Sequence, residues 1–244
     1  MERCDFVNDN IRLIQETDGL TFGTDALLLA GYINGKYKQG LEIGSGSGII
    51  SMLLLTREKI SSVTALEVQE DYAILTQKNA DFNSLSDRLR VVHTDVRDFK
   101  WDFEFDIIYS NPPYMKTDSG KKNLLDKKNI ARHEVCGDIF DFCSSARKML
   151  KFGGCFVAVY RTDRLMDLLS AMRENKIEPK RITFVHADTN SEPSMALVEG
   201  KAGGKCGLLV TKPLIIYSDN THRTYSADMN YIMENGSFPS EFKR

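Results

Sequence analysis

The chain has 244 residues, of which 42% are hydrophobic and 27% charged, and its formal net charge is −2. That balance excludes a disordered chain and a uniformly basic nucleic-acid binder, so any polyanionic partner must be met by a local patch. No run of eighteen apolar residues occurs, and the N-terminus MERCDFVNDN lacks an apolar or Arg/Ser-rich leader, so a cytoplasmic protein with no membrane partner is expected.

In chain order, residues 1–36 form an N-terminal extension: a hairpin from Phe6 to Glu16 turning at Asn8-Asp9-Asn10, then a helix starting near Thr24. Gly40–Ile43 is a short strand that runs into Gly-Ser-Gly-Ser-Gly, and residues 48–58 have helical composition. Strands at 63–67, 89–93, 105–109 and 155–160 alternate with helices at 70–83 and 138–150. A further helix at 161–176 precedes strands near 181–187 and 208–216, with turns at 189–192 and 200–205. Strands separated by helices of this length imply βαβ units, hence an α/β fold with a mostly parallel, seven-stranded sheet covered on both faces. Residues 37–217 are the expected core and 218–244 a polar C-terminal tail, all within one domain. The five cysteines, Cys4, Cys136, Cys143, Cys155 and Cys206, are scattered without a C-x-x-C pair, which indicates neither a disulfide framework nor a metal site.

The stretch Glu42-Ile43-Gly44-Ser45-Gly46-Ser47-Gly48 carries the first chemistry. Gly44, Gly46 and Gly48 allow a tight turn and close approach of a ligand, at the N-terminus of a helix. The spacing G-x-G-x-G is one residue shorter than the dinucleotide pattern. Glu67 ends the next strand, where an acid can accept both hydroxyls of a ribose. Asp95, with Val96 beside it, ends the third and can accept from an adenine amino group. Glu42 would lie near the charged end of the ligand, where an acid suits an ammonium group and repels a pyrophosphate. The pocket is therefore expected to take S-adenosylmethionine rather than a nicotinamide dinucleotide.

The fourth strand runs directly into Asn111-Pro112-Pro113-Tyr114. Each proline fixes its φ and pushes the preceding residue toward extended geometry, so Asn111 and Tyr114 are held stiffly. Together, E-x-G-x-G-x-G, Glu67, Asp95 and N-P-P-Y resemble the class I methyltransferases with a Rossmann-like fold. The last four residues resemble those members that alkylate a planar amino or amide nitrogen. That resemblance implies that the Asn111 side-chain oxygen and the Pro112 carbonyl each accept an N–H of the target amine, and that Tyr114 offers a face for a splayed base.

The segment 116–132 holds Lys116, Lys121, Lys122, Lys127, Lys128 and Arg132 against Asp118 and Asp126, a local positive patch suited to phosphates. Phe22-Gly23-Thr24-Asp25-Ala26, then Ala131-Arg132-His133-Glu134, and Lys212-Pro213-Leu214-Ile215-Ile216-Tyr217 followed by Tyr225 narrow the likeness. They resemble the bacterial family that methylates N6 of adenine 37, beside the anticodon of a valine tRNA. By that likeness Thr24 and Asp25, with Asn111, close over the methionine part of the cofactor, and Arg132 and His133 line the acceptor cleft. The anticodon loop is then the expected partner, with no obligate protein partner. The alternatives are N5-glutamine methylation of a protein such as a release factor, methylation of DNA adenine, and a non-catalytic cofactor-binding module. A glutamine methyltransferase would bring an N-terminal recognition bundle, for which 36 residues are too few.

Overall fold

The computed structural model describes residues 2–8, 10–16, 23–112 and 137–243. Strands β1 (Glu2–Asn8) and β2 (Ile11–Glu16) make an antiparallel hairpin, followed by helix α1 (Thr24–Tyr32). The alternating core then runs β3 (Tyr37–Ile43), α2 (Ile49–Thr56), β4 (Ile60–Glu67), α3 (Glu70–Phe82), β5 (Leu89–His93) and β6 (Phe105–Ser110). After it come α4 (Ile139–Met149), β7 (Leu150–Arg161), α5 (Leu165–Glu174), β8 (Ile177–His186) and β9 (Pro193–Ala202). Two short strands, β10 (Leu209–Val210) and β11 (Leu214–Ile215), and helix α6 (Ala227–Asn235) complete the described elements.

The large sheet is ordered β10-β8-β9-β7-β6-β3-β4-β5, with β11 also on β8. Only β9 is antiparallel to its neighbours; the other pairings are parallel. The central strands β3, β4, β6 and β7 are buried over continuous runs, as a sheet covered on both faces requires, and successive side chains enter opposite cores. Cys155, Val157 and Val159 of β7 enter the core beneath α1, α2 and α6, while Phe156 and Ala158 enter the core beneath α4 and α5.

The turn expected at 189–192 lies between β8 and β9, but the expected strand at 208–216 and the expected turn at 200–205 need correction. Residues 193–202 form a ten-residue strand instead, and 208–216 supplies only two two-residue pieces, with Lys212-Pro213 between them. Proline lacks the donor a ladder needs. Gly200 is a packing glycine within β9: an added Cβ would stand 2.3 Å from the Met172 Cε and 3.0 Å from the Glu178 carbonyl oxygen. The expected helix at 161–176 starts as a 3-10 turn over Thr162–Arg164 before α5.

Two side-chain clamps attach the flanking segments. Asn79 of α3, fully buried, accepts from the Ile14 amide (2.7 Å) and donates to the Ile14 carbonyl (3.0 Å), so one amide pairs with β2 as a neighbouring strand would. Asn83 repeats this one turn later with Arg12, at 3.0 and 2.8 Å. At the other end, the buried Arg181 stacks its guanidinium 3.8 Å above the Tyr32 ring and donates to the carbonyls of Phe242 and Tyr32 and to Glu199. The residues read as a polar tail thus include a helix and two fully buried rings, Phe238 and Phe242.

Candidate active site

The carboxyl ends of the parallel strands share one edge of the sheet, where ligands of open α/β sheets bind. At the end of β3, Gly44, Gly46 and Gly48 all have left-handed backbone, with φ of 76°, 56° and 81°. A Cβ added to Gly44 or Gly46 would meet nothing within 4 Å, so the loop presents bare backbone with open space above it. A Cβ at Gly48 would stand 2.8 Å from the Thr76 methyl. Helix α3 holds the loop from behind: Thr76 Oγ1 donates to the Gly46 carbonyl at 2.8 Å, and Asn79 Nδ2 to the Ser47 carbonyl at 3.0 Å. Thr76 gave no sequence signal, and helical spacing marked Asn79 only as one residue of a periodic face; both are fully buried.

Glu67 stands where expected, at the end of β4 and 5% exposed. One carboxylate oxygen accepts from the Gly46 amide at 2.9 Å and the other from the Gln69 amide at 3.0 Å. Each oxygen keeps a second lone pair for a ligand hydroxyl, in a carboxylate already fixed in place. Asp95 follows β5 and is gripped by Arg97, whose Nε reaches Oδ1 at 2.9 Å and whose Nη2 reaches Oδ2 at 2.5 Å. Those hydrogen bonds hold its carboxyl below the usual carboxylate range. Val96 is buried in the core beneath α4.

Glu42 differs from its expected role. It is fully buried behind the loop, with one carboxyl oxygen on Ser51 Oγ, which also meets the Tyr109 hydroxyl at 2.7 Å. Burial pushes its carboxyl up to about 8, so at neutral pH it holds its proton and does not select a cationic ligand by charge. Its Oε1 has no hydrogen-bond partner among the described residues. Ser51 and Tyr109 gave no sequence signal, because a serine inside an apolar helix and a tyrosine inside an apolar strand read as packing.

Asn111 follows β6 on the same edge. Its Nδ2 donates to Asp25 Oδ2 at 2.8 Å, which turns Oδ1 to the opposite side of the amide. Asp25 reaches it from the first turn of α1, where Oδ1 also accepts from the Ala26 amide at 3.0 Å. The helix starts at Thr24, as expected, with Gly23 as its N-cap residue. A Cβ there would stand 2.6 Å from Asp25 Oδ1, so glycine makes room for that carboxylate. Thr24 is half-buried next to it, and Pro112 is buried beyond Asn111. Pro113, Tyr114, Lys116, Lys121, Lys122, Lys127, Lys128, Arg132 and His133 lie outside the described residues.

A mostly parallel α/β sheet with a left-handed glycine loop, a ribose-type acid after the second core strand and an asparagine-proline after the fourth defines a class I methyltransferase. The methyltransferase small domain model matches residues 17–176, and the chain belongs to that family. A tRNA1(Val) (adenine(37)-N6)-methyltransferase of Phocaeicola vulgatus is 31% identical over 180 residues, 73% of this chain and 76% of that one. Its namesake in Pedobacter heparinus is 29% identical over 173 residues, 70% and 73% of the two chains. The fold resembles a predicted O-methyltransferase from Agrobacterium tumefaciens, with a TM-score of 0.71 at 20% identity over 88% of this chain and 98% of that one. It also resembles the M. jannaschii TYW2 structure in complex with AdoMet, with a TM-score of 0.56 at 12% identity over 82% and 84%.

The cofactor of this class is S-adenosylmethionine, and the residues present fit it. Open space over Gly44 and Gly46, the fixed Glu67 carboxylate beside it and Asp95 on the next strand are what such a ligand would meet.

Proposed function

We propose that this chain transfers a methyl group from S-adenosylmethionine to the exocyclic N6 of an adenine in tRNA, adenine 37 in the anticodon loop of a valine tRNA. The observation that carries the mechanism is the Asp25–Asn111 hydrogen bond at the reactive edge; the tRNA1(Val) relatives support the substrate. An aromatic amine is a poor nucleophile because its lone pair is delocalised into the ring. Asn111 Oδ1 and the Pro112 carbonyl accept its two N–H groups and draw the nitrogen toward tetrahedral geometry. Positioning supplies most of the rate, and the same acceptors stabilise positive charge that grows on nitrogen. Asp25 keeps the amide in the one orientation that presents oxygen to the amine. S-adenosylmethionine would be held by the Gly44–Gly46 loop, Glu67 and Asp95 and would supply the methyl group: the N–C bond forms as the S–C bond breaks, S-adenosylhomocysteine leaves, and the alkylated nitrogen loses its extra proton to water.

Lys116, Lys121, Lys122, Lys127, Lys128 and Arg132 supply the charge that holds RNA phosphates, and His133 lines the acceptor cleft. A tRNA substrate places the activity in the cytoplasm, and among the described residues no helix is long and apolar enough to cross a membrane. The test is incubation with methyl-labelled cofactor and total tRNA from a strain lacking the protein, against release-factor protein in parallel. Label in tRNA, recovered as N6-methyladenosine next to the anticodon, is expected; label in protein alone would reverse the substrate assignment.

A further inference from the structure

The segment after β11 is built more elaborately than its connecting role requires. It folds back as a small hairpin in which Ser218 N donates to the Thr224 carbonyl and Ser226 N to the Ile216 carbonyl, both at 2.9 Å. Tyr217 and Tyr225 therefore face each other as a non-hydrogen-bonded pair, the closer of the two kinds. Their rings stack at 5.3 Å and 18°, and Tyr217 also stacks with His222 at 4.8 Å and 17°. Three near-parallel rings result. His222 and Tyr225 are exposed, whereas Tyr217 packs against the core.

The acids nearby are consumed in building this platform. Asp188 accepts from His222 Nε2 at 2.7 Å and from the amides of Asn190 and Ser191; Asp219 accepts from the amides of Thr221 and Thr224. Arg223 stands exposed between the two outer rings in sequence. The outward character is thus aromatic and cationic, the combination on which unpaired bases stack.

Position selects the partner. Strands β6, β7, β8 and β11 run in the same direction, so Tyr217 emerges on the edge that carries Asn111. Four strand spacings separate β11 from β6, about 19 Å. A base stacked there lies several nucleotides from the one at Asn111. Resting on the tRNA reading above, we infer that the Tyr217–His222–Tyr225 platform, with Arg223, is a second RNA contact that stacks an unpaired base of the substrate tRNA remote from the methylated adenine.

The test compares the wild-type chain with Tyr225→Ala and Tyr225→Phe, measuring methylation kinetics on valine tRNA, cofactor binding by calorimetry and the melting temperature. Loss of one stacked base should raise KM for tRNA in Tyr225→Ala by about 5- to 150-fold. The kcat, cofactor affinity and melting temperature should stay near wild type, and Tyr225→Phe, which keeps the ring face, should restore KM. An unchanged KM in Tyr225→Ala overturns the inference, as does a Tyr225→Phe variant as impaired as the alanine. A wild-type chain that methylates no tRNA overturns the substrate reading itself, and the inference falls with it.

Discussion

Asn111 and Asp25 act on one amide, yet their removal should read differently. Asn111→Ala deletes an acceptor whose value lies in the transition state, so kcat should fall ~10²–10³-fold while cofactor affinity barely moves. Asp25→Ala leaves the acceptor in place and frees its orientation. Loss of a charge-assisted hydrogen bond of this kind should lower kcat about 10- to 100-fold. If Asp25 instead grips the methionine part of the cofactor, calorimetry will show affinity falling with kcat retained. Glu67→Ala works at the other end of the site. It removes the ribose acceptor and leaves the Gly46 and Gln69 amides without their carboxylate. Cofactor Kd should rise roughly tenfold or more, with kcat at saturating cofactor within roughly threefold.

At the scale of elements, α3 is the part on which the glycine loop and the N-terminal hairpin both depend. One side chain, Asn79, holds Ser47 of the loop and both backbone groups of Ile14. Asn79→Ala leaves these groups buried and unpaired, at a cost of about 3 kcal/mol in urea denaturation, and should speed hydrogen exchange at the Ile14 amide. Such a role is invisible in sequence, because helical spacing shows only that residue 79 faces inward. The elements themselves were legible wherever an apolar run ended in a turn signal, as at Gly44 and Asn111. β9 was not, since Glu199 and Gly200 interrupt its apolar pattern while packing, not turning, is what that glycine serves. The basic segment is an element whose contribution is electrostatic. Neutralising Lys121, Lys122, Lys127 and Lys128 together should flatten the slope of log affinity for tRNA against log salt by roughly 3, at about 0.7 per single-strand phosphate contact. An unchanged slope would mean that these lysines do not meet phosphate.

For the molecule as a whole, the site and its stability are linked through Glu42. Its carboxyl, ordinarily at 4.5, is pushed up to about 8 by burial at the centre of the sheet. Below pH 4.5 the folded and unfolded chains both hold this proton, so nothing is lost. Between 4.5 and 8 the unfolded chain has released it and the folded chain has not. The unfolded state then binds fewer protons, and stability falls as pH rises through that window. Above 8 both forms have released it, and the loss is complete. Glu42→Gln keeps a polar partner for Ser51 but cannot ionise, so it should escape this loss. Denaturant unfolding at a series of pH values should give a variant-minus-wild-type difference that grows between pH 4.5 and 8, by a few kcal/mol in all, and is flat on either side. Lys59, a half-buried amine that burial pushes down to about 7, caps the carbonyls of Ala30, Gly31 and Ile33 in both proteins and cancels in the difference. A difference that stays constant across the window would show that Glu42 is already ionised in the folded chain, and a charged acid beneath the glycine loop would again select for a cationic ligand.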